Sequence, residues 1–167
     1  MISAIKNRHS HREFLDQPIP ENKIKEVINA GLAAPSANAK YPWEIVVTKD
    51  EELKKLLAKT TPWSTFAEKA EVIITVVGNE TESPYWVEDC SIVAEHLWLE
   101  ATEQELGACW IQIRNQGGAE ASVKEILNIP EKFRVLCLIA IGVPAEKTEA
   151  TEEKDLDKEK VKYETYK

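Results

Sequence analysis

The stretch Arg8-His9-Ser10-His11-Arg12 carries two guanidiniums, two imidazoles and a hydroxyl on consecutive residues. In an extended segment side chains alternate between two sides, so Arg8, Ser10 and Arg12 are predicted to share one face. Arginine binds phosphate bidentately and keeps its charge when partly buried. This face therefore suits a phosphate, with one arginine left over for a second anionic group. The same pattern is also compatible with a solvated basic helix end, or with an arm that contacts nucleic acid.

The rest of the chain is acidic, with a net charge of −8 over 167 residues. The basic stretch is thus a local feature, as expected for an anionic cofactor site, and a general nucleic-acid binder is not expected. With 43% hydrophobic residues, the length predicts a single domain over residues 1–167 with a sizeable core. No apolar run approaches the roughly 20 residues of a membrane span and no signal peptide precedes the first helix, so we expect a cytoplasmic protein without membrane association.

The cysteines Cys90, Cys109 and Cys137 lie in apolar segments and lack C-x-x-C spacing. Their odd number favours reduced, buried thiols over a disulfide framework. We predict no metal site. His96 has two glutamates nearby, but a hydrogen-bonded histidine on a helix face is the preferred interpretation.

Hydrophobic periodicity and proline or glycine breakers predict five helices and four strands. Helices are expected over residues 2–8, 21–34, 50–59, 84–106 and 119–127, and strands over 43–48, 72–77, 109–113 and 134–143. Thr48 and Glu51 are expected to form a capping box for the third helix, which should bury Leu53, Leu56 and Leu57. By itself, this alternation of strands and helices suggests a doubly wound parallel sheet.

Two regions carry a further expectation about partners. The helix 84–106 is apolar over more than one stripe, which indicates either a central helix or a helix buried against a second subunit. From Ala145 onward the composition is charged and cannot bury a core, so 145–167 is predicted to be a charged tail. Val161, Tyr163 and Tyr166 are the residues available to anchor the tail on the domain or on a partner.

Two more stretches, Ala34-Pro35-Ser36-Ala37-Asn38-Ala39-Lys40-Tyr41-Pro42-Trp43 and Leu106-Gly107-Ala108-Cys109-Trp110-Ile111, follow in order. Together with the Arg-x-Ser-x-Arg stretch, they resemble the nitroreductase family of FMN-dependent oxidoreductases. The resemblance implies an α+β fold in which helices flank a central, mixed but mostly antiparallel sheet. It also implies a homodimer with a helical interface. We expect the helix 84–106 to form part of that interface.

The resemblance assigns roles to the basic stretch. Arg8 and Ser10 would bind the FMN phosphate with His9 in support, and Arg12 would reach the N1–O2 edge of the flavin. A fixed positive charge at that edge stabilises the reduced anionic flavin and raises its reduction potential.

Other positions are implied in the same way. Pro35 and Ser36 would reach the isoalloxazine across the dimer interface, and the backbone near Gln112 and Ile113 would donate to N5 and O4. The chain departs from the family by placing Ala39 and Tyr41 where asparagine and glutamine are usual, while Asn38 stands one place early. Glu105 replaces a frequent glycine. The late phosphate-binding arginine is missing, and Lys154 is the nearest substitute.

The implied activity is that of an FMN-dependent NAD(P)H oxidoreductase. A hydride would pass from NAD(P)H through flavin N5 to a nitroaromatic, quinone or similar acceptor in ping-pong order. Because positioning and electrostatics suffice for this chemistry, we nominate no catalytic side chain. Tyr41 and Trp63 would border the pocket as aromatic walls, whereas core packing is the preferred role for Trp43.

One alternative is a flavin-binding or sensing module of the same fold with little turnover. Another is a non-flavin interaction protein whose arginines bind a different anion.

Overall fold

The computed structural model describes residues 1–166. Five α-helices and five strands follow one another in the order α1 (Ser3–Asn7), β1 (Phe14–Leu15), α2 (Glu21–Leu32), β2 (Trp43–Thr48), α3 (Glu51–Ala58), β3 (Val72–Gly78), α4 (Trp86–Glu103), β4 (Gly107–Gln112), α5 (Ala119–Leu127) and β5 (Arg134–Pro144). Short 3-10 helices occur at Ala37–Ala39, Thr65–Lys69, Glu153–Asp155 and Lys158–Lys160.

All pairs between named strands of the described chain are antiparallel. The long β5 is central, because residues 137–141 pair with β3 and also with β4, which must therefore lie on its opposite edges. β2 extends the sheet beyond β3, and β1 pairs with the C-terminal end of β5. The doubly wound parallel sheet that the alternation suggests is wrong, and the largely antiparallel sheet implied by the resemblance is confirmed.

Side chains of the buried strands alternate between two core clusters, as the period of two along a strand requires. On β3, Ile74 and Val76 belong to one cluster, while Ile73 and Val77 belong to the other. The first cluster contains residues of α2 and α4, and the second contains residues of α3 and α5. The sheet is thus the middle layer of three.

The predicted helices and strands are all present, with ends displaced by a few residues. The two-residue β1 was not predicted, since so short a strand has no periodicity to detect. The capping box at Thr48 is wrong, because the Asp50 carboxylate caps α3 by accepting from the Leu53 N–H at 2.9 Å. Leu56 is 48% exposed, so only Leu57 of the three leucines is fully buried.

α4 is the central helix of the first layer. Its apolar residues, among them Cys90, Val93 and Leu97, are buried within the chain against α2 and the sheet. Across residues 1–166, no helix has the length and apolar character needed to cross a membrane. All three cysteines are buried and free, as predicted.

The charged tail touches the domain at its beginning, where the Thr151 N–H donates to the Lys6 carbonyl at 2.8 Å. Farther along, Val161, Tyr163 and Tyr166 are 54%, 83% and 93% exposed. These residues therefore do not anchor the tail on their own domain, and their contact with a partner stays a prediction.

Candidate functional site

The basic stretch is held along the edge of β4 by its backbone. Ser10 forms an isolated parallel bridge with Ala108, and the His11 N–H donates to the Ala108 carbonyl at 3.0 Å. A little farther on, the Ala145 N–H donates to the Glu13 carbonyl at 3.0 Å. These contacts hold the segment between β4 and the end of β5, which the sequence did not predict.

Two glycines make this placement possible. A Cβ at Gly107 would lie 3.0 Å from the His11 Cβ, and a Cβ at Gly142 would lie 2.8 Å from the Phe14 Cγ. Both contacts are far closer than carbon atoms tolerate at van der Waals separation. The segment Arg8–Phe14 therefore rests on strand positions that have no side chain.

The two guanidiniums of the stretch lie against aromatic rings. Arg8 Cζ is 4.7 Å from the centre of the Trp98 ring, and Arg12 Cζ is 6.0 Å from that of Phe66. Within residues 1–166 neither guanidinium is paired with a carboxylate. Two cations without counter-ions on an acidic protein form a local anion-attracting site.

The two imidazoles of the stretch lie near each other. The rings of His9 and His11 are 6.4 Å apart and nearly perpendicular. Burial, and to a smaller extent the neighbouring His9, lowers the pKa of His11 below its ordinary value, which disfavours the charged form of this imidazole. The Trp98 Nε1–H donates to the His9 carbonyl at 3.2 Å. His9 Nε2 is buried and has no hydrogen-bond partner among residues 1–166.

Cys109 lies on β4 next to Ala108, the residue that pairs with Ser10. Burial raises the pKa of the Cys109 thiol, while the Arg12 charge and the Ser10 side chain oppose the rise. Arg12 Nη1 donates to the Ser10 carbonyl at 3.4 Å, so these two residues lie close together. The common face of Arg8, Ser10 and Arg12 stays a prediction.

The loop Pro35–Tyr41 lies at the other end of α4. The Ser36 hydroxyl is 2.9 Å from Asp89 Oδ2, the Ala37 N–H donates to Asp89 Oδ1 at 2.9 Å, and the Tyr41 N–H donates to Ser36 Oγ at 2.8 Å. The predicted Ser36 side chain is therefore engaged within the chain. Asp89 and Trp98 are nine residues apart on α4, which corresponds to about 13 Å along a helix.

The departures from the family pattern coincide with an unusual backbone. Asn38, Ala39 and Tyr41 have φ of 53°, 53° and 50°, in the left-handed region. Glu105, which replaces a frequent glycine, has φ of 61°. The glycine preference at that position follows from this conformation, since glycine adopts it without steric cost.

The aromatic residues near this loop divide as predicted. Trp43 is 8% exposed and belongs to the core, whereas Tyr41 and Trp63 are 55% and 54% exposed. The Tyr41 and Trp43 rings meet edge to face at 5.2 Å. Pro35 and Asn38, both predicted site residues, are exposed on the loop surface.

Gln112 and Ile113 lie at the far end of β4 from the basic stretch. The Trp110 Nε1–H donates to Gln112 Oε1 at 3.0 Å, and Gln112 Nε2 donates to the Arg114 carbonyl at 3.0 Å. The Ile113 N–H donates to the Leu136 carbonyl at 3.2 Å. The Gln112 side chain and the Ile113 amide thus have partners within the chain, which leaves little donor capacity for a ligand.

Lys154 lies on the tail, where its ammonium is 3.0 Å from the Glu152 carboxylate and its side chain is 75% exposed. Within residues 1–166 no hydrogen bond or ion pair joins it to the basic stretch. The structure does not bring this proposed substitute for the missing arginine to Arg8 or Ser10.

Sequence reasoning did not single out Trp98, Asp89 or the two glycine contacts. A signal for Asp89 was present, because it interrupts the buried stripe that Trp86, Cys90 and Val93 form at helical spacing. A buried carboxylate needs partners, and that requirement would have indicated an interaction at this point of α4. Trp98 carried no comparable signal.

The three layers and the antiparallel sheet, with the segment of two arginines unpaired within residues 1–166 laid along β4, define an α+β protein with a candidate anion site. A family model described as "Putative TM nitroreductase" matches residues 1–166. The chain belongs to the nitroreductase family, and the resemblance noted in the sequence is confirmed.

Individual relatives agree in sequence and in structure. A "Putative NADH dehydrogenase/NAD(P)H nitroreductase" of Methanothermobacter thermautotrophicus is 30% identical over 149 residues, which cover 87% of this chain and 78% of that protein. The structure of an FMN-dependent nitroreductase from Clostridium difficile R20291 matches with a TM-score of 0.96 at 32% identity, over 99% of this chain and 100% of the other. An NADPH:FMN oxidoreductase from Vibrio harveyi, complexed with NAD+, matches with a TM-score of 0.82 at 26% identity, over 98% and 76% of the two chains.

Proposed function

We propose that the protein is a cytoplasmic, FMN-dependent NAD(P)H oxidoreductase that acts as a homodimer and reduces a nitroaromatic, quinone or similar acceptor. The observation that carries the proposal is the pair of guanidiniums, Arg8 and Arg12, that lack a carboxylate partner on a protein of net charge −8. The names of the relatives support FMN as the anion.

The donor set fits the phosphate of FMN. Arg8 would supply a forked, permanently charged donor, whose Cζ lies 4.7 Å from the centre of the Trp98 ring, and Ser10 would add a hydroxyl beside β4. His9 Nε2 is buried without a partner, so a bound phosphate would satisfy a group that otherwise carries a desolvation cost. These residues account for phosphate binding without the missing late arginine.

Arg12 fits the second role. Its guanidinium lies toward Phe66, and it is exposed rather than buried. There it would hold a positive charge beside the electron-accepting edge of the flavin and stabilise negative charge that develops on reduction. FMN, when bound, would supply the redox chemistry, a ping-pong hydride transfer from NAD(P)H to the acceptor through N5, while Arg12 would hold its positive charge in place.

The dimer part of the proposal rests on exposed apolar surface near α1. A groove of about 460 Å³ between α1, α2 and α4 is lined by Ile2, Ala33 and Leu99, among other residues. Nearby, Ile2, Ile5 and Leu32 are 64%, 48% and 56% exposed. Contiguous apolar surface of this kind is typical of an interface. Pro35 and Asn38, exposed on their loop, would then reach the flavin of the partner subunit.

Specific contacts favour a second candidate, a flavin-binding or sensing module with little turnover. Ser36, Gln112 and the Ile113 amide make hydrogen bonds within the chain, so fewer groups remain to hold the isoalloxazine. A weakly held ring would react slowly even with the phosphate bound, since positioning supplies much of the rate.

The test begins with the purified protein. We expect bound FMN in a ratio of one per subunit, a dimer by light scattering, and loss of the flavin's visible absorbance on anaerobic addition of NADH or NADPH. Addition of menadione or a nitrofuran should then restore the absorbance over many turnovers. Bound flavin that neither nicotinamide bleaches would favour the sensing module. Protein that is colourless, monomeric and indifferent to added FMN would overturn the proposal.

A further inference from the structure

Asp89 is a buried carboxylate within an otherwise apolar helix face. It lies in the first turn of α4 and is 2% exposed, between neighbours of the first core cluster. A buried charge is stable only where hydrogen-bond donors replace water. Its position in the first turn also favours a negative charge, since backbone N–H groups point toward that end of the helix.

The donors come from the loop Pro35–Tyr41, and their directions follow from the hydrogens available. The Tyr41 N–H donates to Ser36 Oγ, so the single hydroxyl hydrogen of Ser36 is free to donate to Asp89 Oδ2. Asp89 Oδ1 accepts from the Ala37 N–H. An ionised carboxylate is an acceptor only, which fits two donors and no acceptor. Ser36 is therefore a relay between Asp89 and the backbone of Tyr41.

The loop needs hydrogen bonds from outside because its backbone is in a strained conformation. Asn38, Ala39 and Tyr41 all have positive φ, a left-handed conformation in which the Cβ of an L-residue lies too close to the following carbonyl oxygen. Within the loop itself, two backbone bonds are present, from Ala39 N–H to the Ser36 carbonyl at 3.1 Å and from Lys40 N–H to the Ala37 carbonyl at 3.3 Å. Strain of this kind persists where surrounding structure over-determines it. Asp89 provides that constraint from outside the loop.

We propose that Asp89 is a positioning residue for the reaction: through Ser36 and the Ala37 amide it sets the shape of the loop Pro35–Tyr41 that faces the flavin. In consequence, the Ser36 hydroxyl acts on the loop and not on the flavin. The inference rests on the proposed function, since it assigns this loop to the flavin pocket.

The experiment compares four variants. Ser36→Ala removes the relay, Ser36→Thr keeps a hydroxyl on an extended residue, and Asp89→Asn keeps the shape of the carboxylate without its charge. Glu88→Gln is the matched control, since Glu88 is an exposed acidic residue in the same first turn of α4. Each protein is saturated with FMN and assayed well below its unfolding temperature with NADH and menadione.

We expect Ser36→Ala and Asp89→Asn to lower kcat/KM for menadione by about tenfold, the loss typical of a hydrogen bond to a buried charge. Glu88→Gln should stay within about twofold of the parent. Ser36→Thr, which restores the hydroxyl, should recover most of the activity that Ser36→Ala loses. The double variant Ser36→Ala/Asp89→Asn should be no worse than its worse single parent, because both changes break one network. The flavin absorption spectrum should shift in the two impaired variants and remain unchanged in the two others.

A purely structural role would lower the unfolding temperature and leave kcat/KM and the flavin spectrum of the saturated, folded variants unchanged. That result would overturn the inference while leaving the proposed function intact. Failure of the unmodified protein to bind FMN would instead overturn the proposed function before any variant is compared. Asp89→Asn is the variant at greater risk of misfolding, so Ser36→Ala, on a half-buried residue, decides the question alone if necessary.

Discussion

The segment Arg8–Arg12 and the loop Pro35–Tyr41 each supply residues to the candidate site, but they use their side chains in opposite ways. In the segment, the backbone is bonded to the sheet and the charged side chains have no ionic partners within residues 1–166. In the loop, the Ser36 side chain is bonded to Asp89, and the backbone is held in a strained conformation. We therefore propose that the first region binds through its charges and that the second contributes through its shape.

The difference teaches which residue types each region can tolerate. A segment that binds by charge depends on arginine and on the glycines beneath it. A loop that binds by shape depends on its anchor, so Ala39 and Tyr41 can occupy positions where the family usually has asparagine and glutamine.

The largest effect is expected from Arg8→Ala. Loss of a charge-assisted, forked contact costs about 1.5–3 kcal/mol, so the Kd for FMN should rise by roughly 10- to 150-fold. Lys154→Ala is the matched comparison, since Lys154 is a cation that pairs with Glu152 on the tail. It should change the Kd by less than about twofold, as exposed ion pairs contribute little. Isothermal titration of FMN into both apo-proteins measures the two Kd values. An equal loss of FMN affinity in the two variants would show that the tail takes part in the site.

An intermediate effect is expected from Gly142→Ala, which tests the surface beneath the segment. The new methyl would lie 2.7 Å from Phe14 Cδ1, so the segment must move or the strand must shift. We expect the free energy of unfolding to fall by about 1–3 kcal/mol. Gly118→Ala is the control, because nothing lies within 4 Å of a Cβ at that position. Urea denaturation at one protein concentration measures both, and similar stability of the two variants would contradict the close packing described for Phe14.

The smallest effect is expected from Ala39→Gly in the loop. Glycine relieves the cost of a left-handed residue but adds freedom to the unfolded chain, so the net gain in stability should be only about 0.5 kcal/mol. The same urea experiment measures it. A loss of stability would mean that the Ala39 methyl makes a contact that the loop needs, and the contrast between charge and shape would weaken.

Much of this molecule could be predicted from local patterns. The helix α5 was predicted at its observed ends, Ala119 and Leu127, because its apolar periodicity and the glycines before it are local signals. The strands β2 and β3 were predicted for the same reason. The pairing of those strands could not be predicted from local patterns, because alternation of strands and helices favours a parallel sheet. The observed antiparallel pairing depends on how the connections cross the sheet.

The candidate site shows the same division. By itself, the sequence determined that Arg8 and Arg12 form a cationic patch on an acidic chain, because charge and residue spacing are properties of the chain. Only the tertiary structure decided that Trp98 and Phe66 hold those guanidiniums, that Gly107 and Gly142 lie beneath the segment, and that Asp89 anchors Ser36. These contacts join residues 53 to 128 positions apart in the chain, and no local pattern encodes a contact whose two halves meet only when the core packs.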